Sequence, residues 1–381
     1  MLRLNNSNLP FGLDISDLSI KIVQLREQRD KIKIQAIGRC DVKPGIIENG
    51  EIKDPEKFNE ILTKLIAKPT IGSITTNEVV CNLPSNQTFI KLIEVDKSPN
   101  PLSSVIENEV EKHIPSSVND LYYDWQVIEE GHDSYEIIIG AAPKNIVDHY
   151  INILKKSKLN PLAFDLESVA VCRSLLKEEA KKYEGKYNKN YCLIDIGANT
   201  TNMTIYTKNT VVLSISLPLS NDDVTNKIAK SLEIDKEQAE KAKIICGFDK
   251  TRAHGIVSGI LSDMLKTLNQ KLDETIKFYQ NHYAERGGLD QIILSGGGAT
   301  IKDIGKTFNE LTGIDTLVGD PFINLKGFDR KEIEILNEIH DINPRAVKEK
   351  RGVNTIVKKN NHLTYTTAIG LALRNVFINI L

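Results

Sequence analysis

The sequence predicts an α/β fold built as two similar halves, and three observations lead there. The chain has 381 residues, more than one hydrophobic core usually supports, so two or more domains are expected. A strand–turn–strand pattern occurs twice, as GLDISDLSIKIVQL at 12–25 and LIDIGANTTNMTIYT at 193–207. A buried strand, Ile292-Ile293-Leu294-Ser295, runs into Gly296-Gly297-Gly298 and then a helical pattern over 300–312, a strand–turn–helix unit.

Composition narrows the class. Hydrophobic residues make up 40% and charged residues 26%, enough apolar material for real cores. The formal net charge of −2 argues against general nucleic-acid binding, which calls for a basic surplus. Five cysteines, Cys40, Cys81, Cys172, Cys192 and Cys246, are scattered, and no C-x-x-C occurs. A disulfide framework or structural zinc site is not expected, and buried core positions are. The start, MLRLNNSNLPFG, lacks the apolar stretch of a signal peptide. No run reaches the roughly 18 apolar residues of a membrane span. The expectation is a soluble cytoplasmic protein.

The elements follow in order. Residues 11–15 and 20–25 read as strands around the turn Ser16-Asp17-Leu18-Ser19, and 31–37 as a third strand by its alternation. Asp54 as N-cap and Pro55 at the first helical position start a helix over 55–66. Residues 79–165 read as one α+β module. In it are strands VVCNLP, FIKLIEV, YYDWQVIEE and YEIIIGAAP, a helix at 102–114 stopped by Pro115, and a helix at 145–158. A helix from 167 ends in a charged stretch that reads as a linker. After the second hairpin, residues 221–285 are mainly helical and 289–295 form a strand. Residues 326–361 are polar, and an apolar helix closes the chain at 364–380.

The repeat carries the chemistry. In each copy an apolar strand ends in Asp-Ile, a small residue follows (Ser16 or Gly197), and a polar turn leads into a second strand. A tight hairpin exposes successive backbone N–H groups that can cradle phosphate oxygens. A carboxylate at the strand end would repel phosphate, so Asp14 and Asp195 make sense as holders of Mg²⁺, usually through water. Alone, each hairpin could equally be an ordinary turn with Asp as turn former. The Gly296–Gly298 turn is neither a Walker A motif nor a G-x-G-x-x-G fingerprint.

With these three motifs in this order, the sequence resembles the actin-like ATPase superfamily of actin, Hsp70 and sugar kinases. The resemblance implies two ribonuclease H-like halves clamped on ATP and Mg²⁺. It assigns one phosphate hairpin to Asp14, Ser16, Ser19 and Lys21, and the other to Asp195, Gly197, Asn199, Thr200 and Thr201. Gly296, Gly297 and Gly298 would meet the adenosine. The helix Gln238–Lys243 is similar to a Glu-x-x-Lys helix beside the adenosine, which adds Glu240 and Lys243; an exposed helical charge pair is the plain alternative. Ser16 stands where a glycine is usual.

Within the superfamily the chain looks most like the PilM family of type IV pilus assembly proteins, with FtsA next. The resemblance runs through LPSNQTFIKLIEV, DWQVI, LNPLAFDLESVAV, LPLSNDDVTNKIAKSLEIDKEQAEKAKIICG and AIGLALRNV. It implies a first core (1–78), an inserted 1C-type subdomain (79–165) and a connecting helix and linker (166–189). The second core (190–220 and 286–361) would carry a helical insertion (221–285), and residues 362–381 would return to the first core. It further implies an adaptor at the inner face of the membrane. Its partner would be the N-terminal cytoplasmic peptide of a PilN-like membrane protein, with the pilus assembly ATPase and self-association as further contacts. Turnover would be at most slow. Glu167 is the candidate to position the attacking water, although at a helix start it could equally serve the helix dipole. Two alternatives are a true ATPase or small-molecule kinase, and an FtsA-like filament former anchored by the closing helix.

Overall fold

The computed structural model describes residues 9–28, 31–114, 116–177, 189–325 and 361–376. Two mixed sheets form the halves. The first orders its strands β11-β7-β1-β2-β3-β6. Here β1 is Phe11–Ser16, β2 Ser19–Gln28, β3 Lys31–Asp41, β6 Ile71–Gly72, β7 Glu78–Leu83 and β11 Asn160–Leu166, while β4 (Ile47–Glu48) and β5 (Glu51–Ile52) pair with each other apart from it. The second orders β14-β13-β12-β15-β16, with β12 Tyr191–Ile196, β13 Thr201–Thr207, β14 Thr210–Leu217, β15 Gln291–Ser295 and β16 Thr316–Val318. In both, three antiparallel strands continue into two parallel ones, and in the first the short β6 adds antiparallel to β3 at the edge. The duplication seen in the hairpins therefore extends to the whole sheet, and β1 and β12 occupy matching central places.

Local chemistry accounts for the elements. Helix α1 (Pro55–Ala67) starts as expected: the Asp54 carboxylate accepts the Lys57 N–H at 3.1 Å, and Pro55 costs no hydrogen bond in the first turn. With α3 (Lys144–Lys156) it covers one face of the first sheet, where Phe11, Leu13, Ile20 and Ile22 meet Phe58, Leu62, Tyr150 and Leu154. The opposite face receives α9 (Thr366–Leu373), all of whose residues are buried. Helix α4 (Glu167–Leu175) joins β11 to β12 between the halves and is buried from Ser168 on. A helix apolar all round belongs in an interior, so α9 is not free to lie on a membrane. No helix among the described residues is long and apolar enough to cross one.

Residues 79–165, read as one module, divide between two sheets. Strands β7 and β11 lie parallel to β1 in the first core. The inserted sheet is smaller: β8 (Phe89–Asp96), β10 (Ser134–Pro143) and β9 (Leu121–Glu130), in that order. Helix α2 (Leu102–His113) packs on one of its faces through Ile106 and Val110. The reason is pairing distance: a short apolar strand such as VVCNLP carries no mark of which sheet it will join. Strands β11, β14 and β16 did not show in the pattern for the same reason.

The second half adds α5 (Asn221–Leu232), α6 (Lys236–Cys246) and α7 (Ile256–His282) where a helical region was expected. After β15 a short 3-10 turn, Gly297–Thr300, precedes α8 (Ile304–Thr312), so that helix starts later than expected. The closing helix is preceded by a 3-10 turn at 361–365. The polar segment 326–360, the linker 178–188 and residues 377–381 lie outside the described residues.

Candidate functional site

The two hairpins face each other across a cavity of about 620 Å³. On the first, Asp14 and Lys21 are cross-strand partners, which puts both side chains on one sheet face. Lys21 Nζ lies 2.8 Å from Asp14 Oδ2, with both side chains almost fully buried. Arg39 is the next residue in that row, opposite Lys21 on β3, and also lines the cavity. The Ser16 hydroxyl donates to Ser19 O at 2.9 Å and tightens the two-residue turn. Ser16 thus gives a closed hairpin without glycine.

On the second hairpin, Asp195 pairs with Asn202 across the strands and with Ser295 on β15. The Ser295 hydroxyl donates to Asp195 Oδ1 at 2.5 Å. Gly197 N donates to Thr200 O at 2.9 Å; a Cβ on Gly197 would come 2.8 Å from that oxygen. Gly296 has φ of +79°, and a Cβ there would stand 2.6 Å from Ile196 O. Only glycine gives this turn at this separation.

The hairpin tips touch. Asn199 Nδ2 donates to Asp17 Oδ2 at 2.6 Å. The same carboxylate accepts Asn49 N at 3.0 Å and Gly50 N at 2.8 Å, so it is held in place from its own half.

Glu167 stands between the hairpins rather than merely at a helix start. Asn202 Nδ2 donates to its Oε2 at 3.3 Å, and the Ser85 hydroxyl donates to Asn202 Oδ1 at 3.4 Å. Burial, then the charges of Asp195 and Asp14, push the Glu167 carboxyl up to about 8. Burial also raises Asp195, against the Ser295 hydrogen bond, with Asp14 adding to the rise. Asp14, Glu167 and Asp195 act on one another across the cavity, and Lys21 is paired with Asp14. A divalent cation there would relieve their repulsion.

Of the expected residues, Asp14, Ser16, Ser19, Lys21, Glu167, Asp195, Gly197, Asn199, Thr200, Glu240, Gly296 and Gly297 line the cavity. Thr201, Lys243 and Gly298 do not. Thr201 points to the other face of β13, where its hydroxyl donates to Leu219 O at 2.8 Å. Gly298 packs on Ile196, whose Cγ2 would lie 2.2 Å from a Cβ. Lys243 is buried between α5 and α6. Its Nζ reaches Glu240 Oε2 and Thr225 Oγ1, each at 2.6 Å, and Asn221 Oδ1 at 3.0 Å. Burial lowers its pKa, opposed by Glu240. It positions Glu240 and Thr225, which do line the cavity. Asp17, Arg39, Asn82, Ser85, Asn202 and Thr367 line it without having been expected. Asn202 sits directly opposite Asp195 in the hairpin register, as Lys21 sits opposite Asp14, while Thr201 opposite Ile196 takes the other face. Asp17 lies in the first hairpin's own turn, and the others arrive from other segments.

The family described as Type IV pilus assembly protein PilM matches residues 12–376. Among curated relatives, the cell division protein FtsA of Buchnera aphidicola subsp. Baizongia pistaciae is 23% identical over 368 residues, 84% of this chain and 86% of that one. Among solved structures, a PilM-PilN type IV pilus biogenesis complex superposes with a TM-score of 0.75 at 19% identity, covering 96% of this chain and 98% of the other. MreB5 of Spiroplasma citri, bound to ADP, gives 0.51 at 14% identity over 84% of this chain and 93% of that one. The fold is that of the actin-like ATPases.

Proposed function

The chain belongs to the PilM family of type IV pilus assembly proteins, and from that premise we propose that it is an ATP-binding adaptor of that machinery. ATP with Mg²⁺ sits between the halves, and the closed molecule recruits the N-terminal cytoplasmic tail of a PilN-like membrane protein. This places the chain at the inner face of the membrane through its partner. The observation that carries the reading is the contact of the two hairpin tips, Asn199 to Asp17 at 2.6 Å, across a cavity holding Asp14, Glu167 and Asp195.

The roles follow from the chemistry of each group. Backbone N–H groups of both turns cradle the phosphates. Asp14 and Asp195 hold Mg²⁺ through water. Gly296 and Gly297 let the backbone approach the base, and Glu240, held by Lys243, accepts from the sugar hydroxyls. The PilM-PilN complex among the related structures supports the choice of partner.

A second reading is slow ATP hydrolysis. It is favoured by Glu167, a carboxyl in the cavity that could orient a water. At neutral pH its raised pKa keeps it mainly protonated until a cation enters, which suits a site that binds more than it turns over.

The test is titration with a fluorescent Mg-ATP analogue, on the wild type and on Asp14→Ala and Asp195→Ala. Wild-type saturation below millimolar nucleotide and a loss of more than about tenfold in each variant are expected. Absence of any binding at millimolar Mg-ATP removes the reading. Phosphate release with and without a synthetic PilN-like tail peptide separates adaptor from enzyme. Turnover of about one per second or faster would make it an enzyme.

A further inference from the structure

The first half offers the cavity polar groups that the hairpins do not account for. The register of the first sheet sets them in rows. On the face under α9, Val23 stands between Gly12 and Ile37. Two residues along, Lys21 stands between Asp14 and Arg39, and two further along Ser19 stands between Ser16 and Asp41. Side chains two apart on a strand share a face, so the three rows lie side by side. Helix α9 packs on the first row, with Ala368, Ile369 and Ala372 against Val23 and Ile37. The second and third rows line the cavity, and so do Thr366 and Thr367 at the start of α9, but no later residue of that helix. The first turn of α9 therefore faces the charged row.

Two side chains there stand out. Lys21 is committed to Asp14, with both almost fully buried. Arg39 instead pairs at 3.0 Å with Asp41, whose side chain is 76% exposed. An ion pair with so exposed a carboxylate contributes little, so the guanidinium can turn to a better-placed anion at small cost. Thr367 is only 5% exposed, yet the described residues give its hydroxyl no hydrogen-bond partner. The neighbouring Thr366 hydroxyl, by contrast, donates to Leu363 O at 2.7 Å. A hydroxyl withdrawn from water and left unpaired is costly, and a ligand in the cavity would supply the missing partner.

We propose that Arg39 and Thr367 form a seat for a phosphoryl group, on the first half alone and next to the Asp14–Lys21 pair. The guanidinium fork and the hydroxyl are donors suited to phosphate oxygens. Arg39 supplies charge that Lys21, held by Asp14, does not give in full. The occupant is the terminal phosphate of the nucleotide, or orthophosphate beside a bound nucleoside diphosphate. The two residues thus distinguish a triphosphate from a diphosphate rather than hold the nucleotide as a whole. This rests on the cleft being the nucleotide site.

Calorimetric titration of the full chain with Mg-ATP and with Mg-ADP tests it, on the wild type, Arg39→Gln and Thr367→Val. Valine keeps the shape of threonine and removes only a hydroxyl without a partner, so it guards against a folding failure. Affinity for Mg-ATP should fall about tenfold or more in Arg39→Gln and about threefold or more in Thr367→Val, with Mg-ADP within about twofold of the wild type. A second arm adds orthophosphate to the Mg-ADP complex and reads the rate of ADP release. Slowing by about threefold or more in the wild type, absent from both variants, makes free phosphate an occupant. Loss of either response in both variants supports the seat, and which one is lost tells the source of the phosphate. Equal loss of Mg-ATP and Mg-ADP affinity, or variants that match the wild type in both arms, overturns the seat and leaves the nucleotide reading standing. If the wild type binds neither nucleotide, the reading of the cleft falls and the seat with it.

Discussion

Asp14 and Lys21 form an ion pair that is almost wholly out of water. Such a pair contributes little net stability while whole, but removing one partner strands a buried charge at about 3–5 kcal/mol. Asp14→Ala should therefore lower the urea midpoint without nucleotide, and the further change Lys21→Met should restore part of the loss. Glu167 makes a pH prediction. Its pKa of about 8 in the folded chain lies above the ordinary 4.5. Between these values the folded chain holds a proton that the unfolded chain has released. That stability is fully present below about pH 4.5 and is lost as pH rises through about 8. In Mg²⁺-free buffer the melting temperature should fall between about pH 5 and pH 8, and Glu167→Gln should flatten the slope. Asp195 is raised too, so its titration adds to the slope that remains. The unexpected Asp17, held by the expected Asn199, sets the tips. Asn199→Ala removes one hydrogen bond to a charged group and should weaken nucleotide binding by about threefold to tenfold, read by the same titration.

At the scale of elements, α4 and α9 cross in the interior between the sheets. A Cβ on Gly370 would lie 1.8 Å from Ala170 O, and one on Gly12 would lie 2.2 Å from Ala368 O. These backbone atoms cannot yield as a flexible side chain can, so Gly370→Ala should destabilise by about 3 kcal/mol, seen as a lower melting temperature. Gly259 in α7 is the counter-case: a Cβ there meets nothing within 4 Å. Gly259→Ala should stabilise by about 0.5–1 kcal/mol through helix propensity and a less free unfolded chain. The long periodic elements were legible in the sequence: α1 with its cap, α2, α3, and the paired strands of each hairpin. Strands β7 and β11 were not assignable to their sheet, because parallel pairing joins segments far apart in sequence and leaves no local period.

At the scale of the molecule, each half has its own sheet and core, and the ligand-sized space lies between them. An apolar cluster crosses between them, and polar contacts across include Asn199–Asp17 at the tips, Ser85–Asn202 deeper in, and Glu136–Arg286 on the inserted sheet. The sequence by itself determined the duplicated α/β plan and pointed to many of the residues that line the cavity. An Asp at a strand end, small residues in a tight turn and a glycine run each answer a local need of the backbone, and local needs are written locally. Only the tertiary structure decided which side chains share the cavity. It turned Thr201 and Lys243 away, brought in Asp17, Arg39 and Asn202, and put Glu167 between two aspartates. It also seated the inserted sheet on the half it does not belong to by sequence, as well as on α4 of its own half. Those outcomes depend on strand register and on packing between segments far apart in the chain, and no period or spacing along the sequence carries that information.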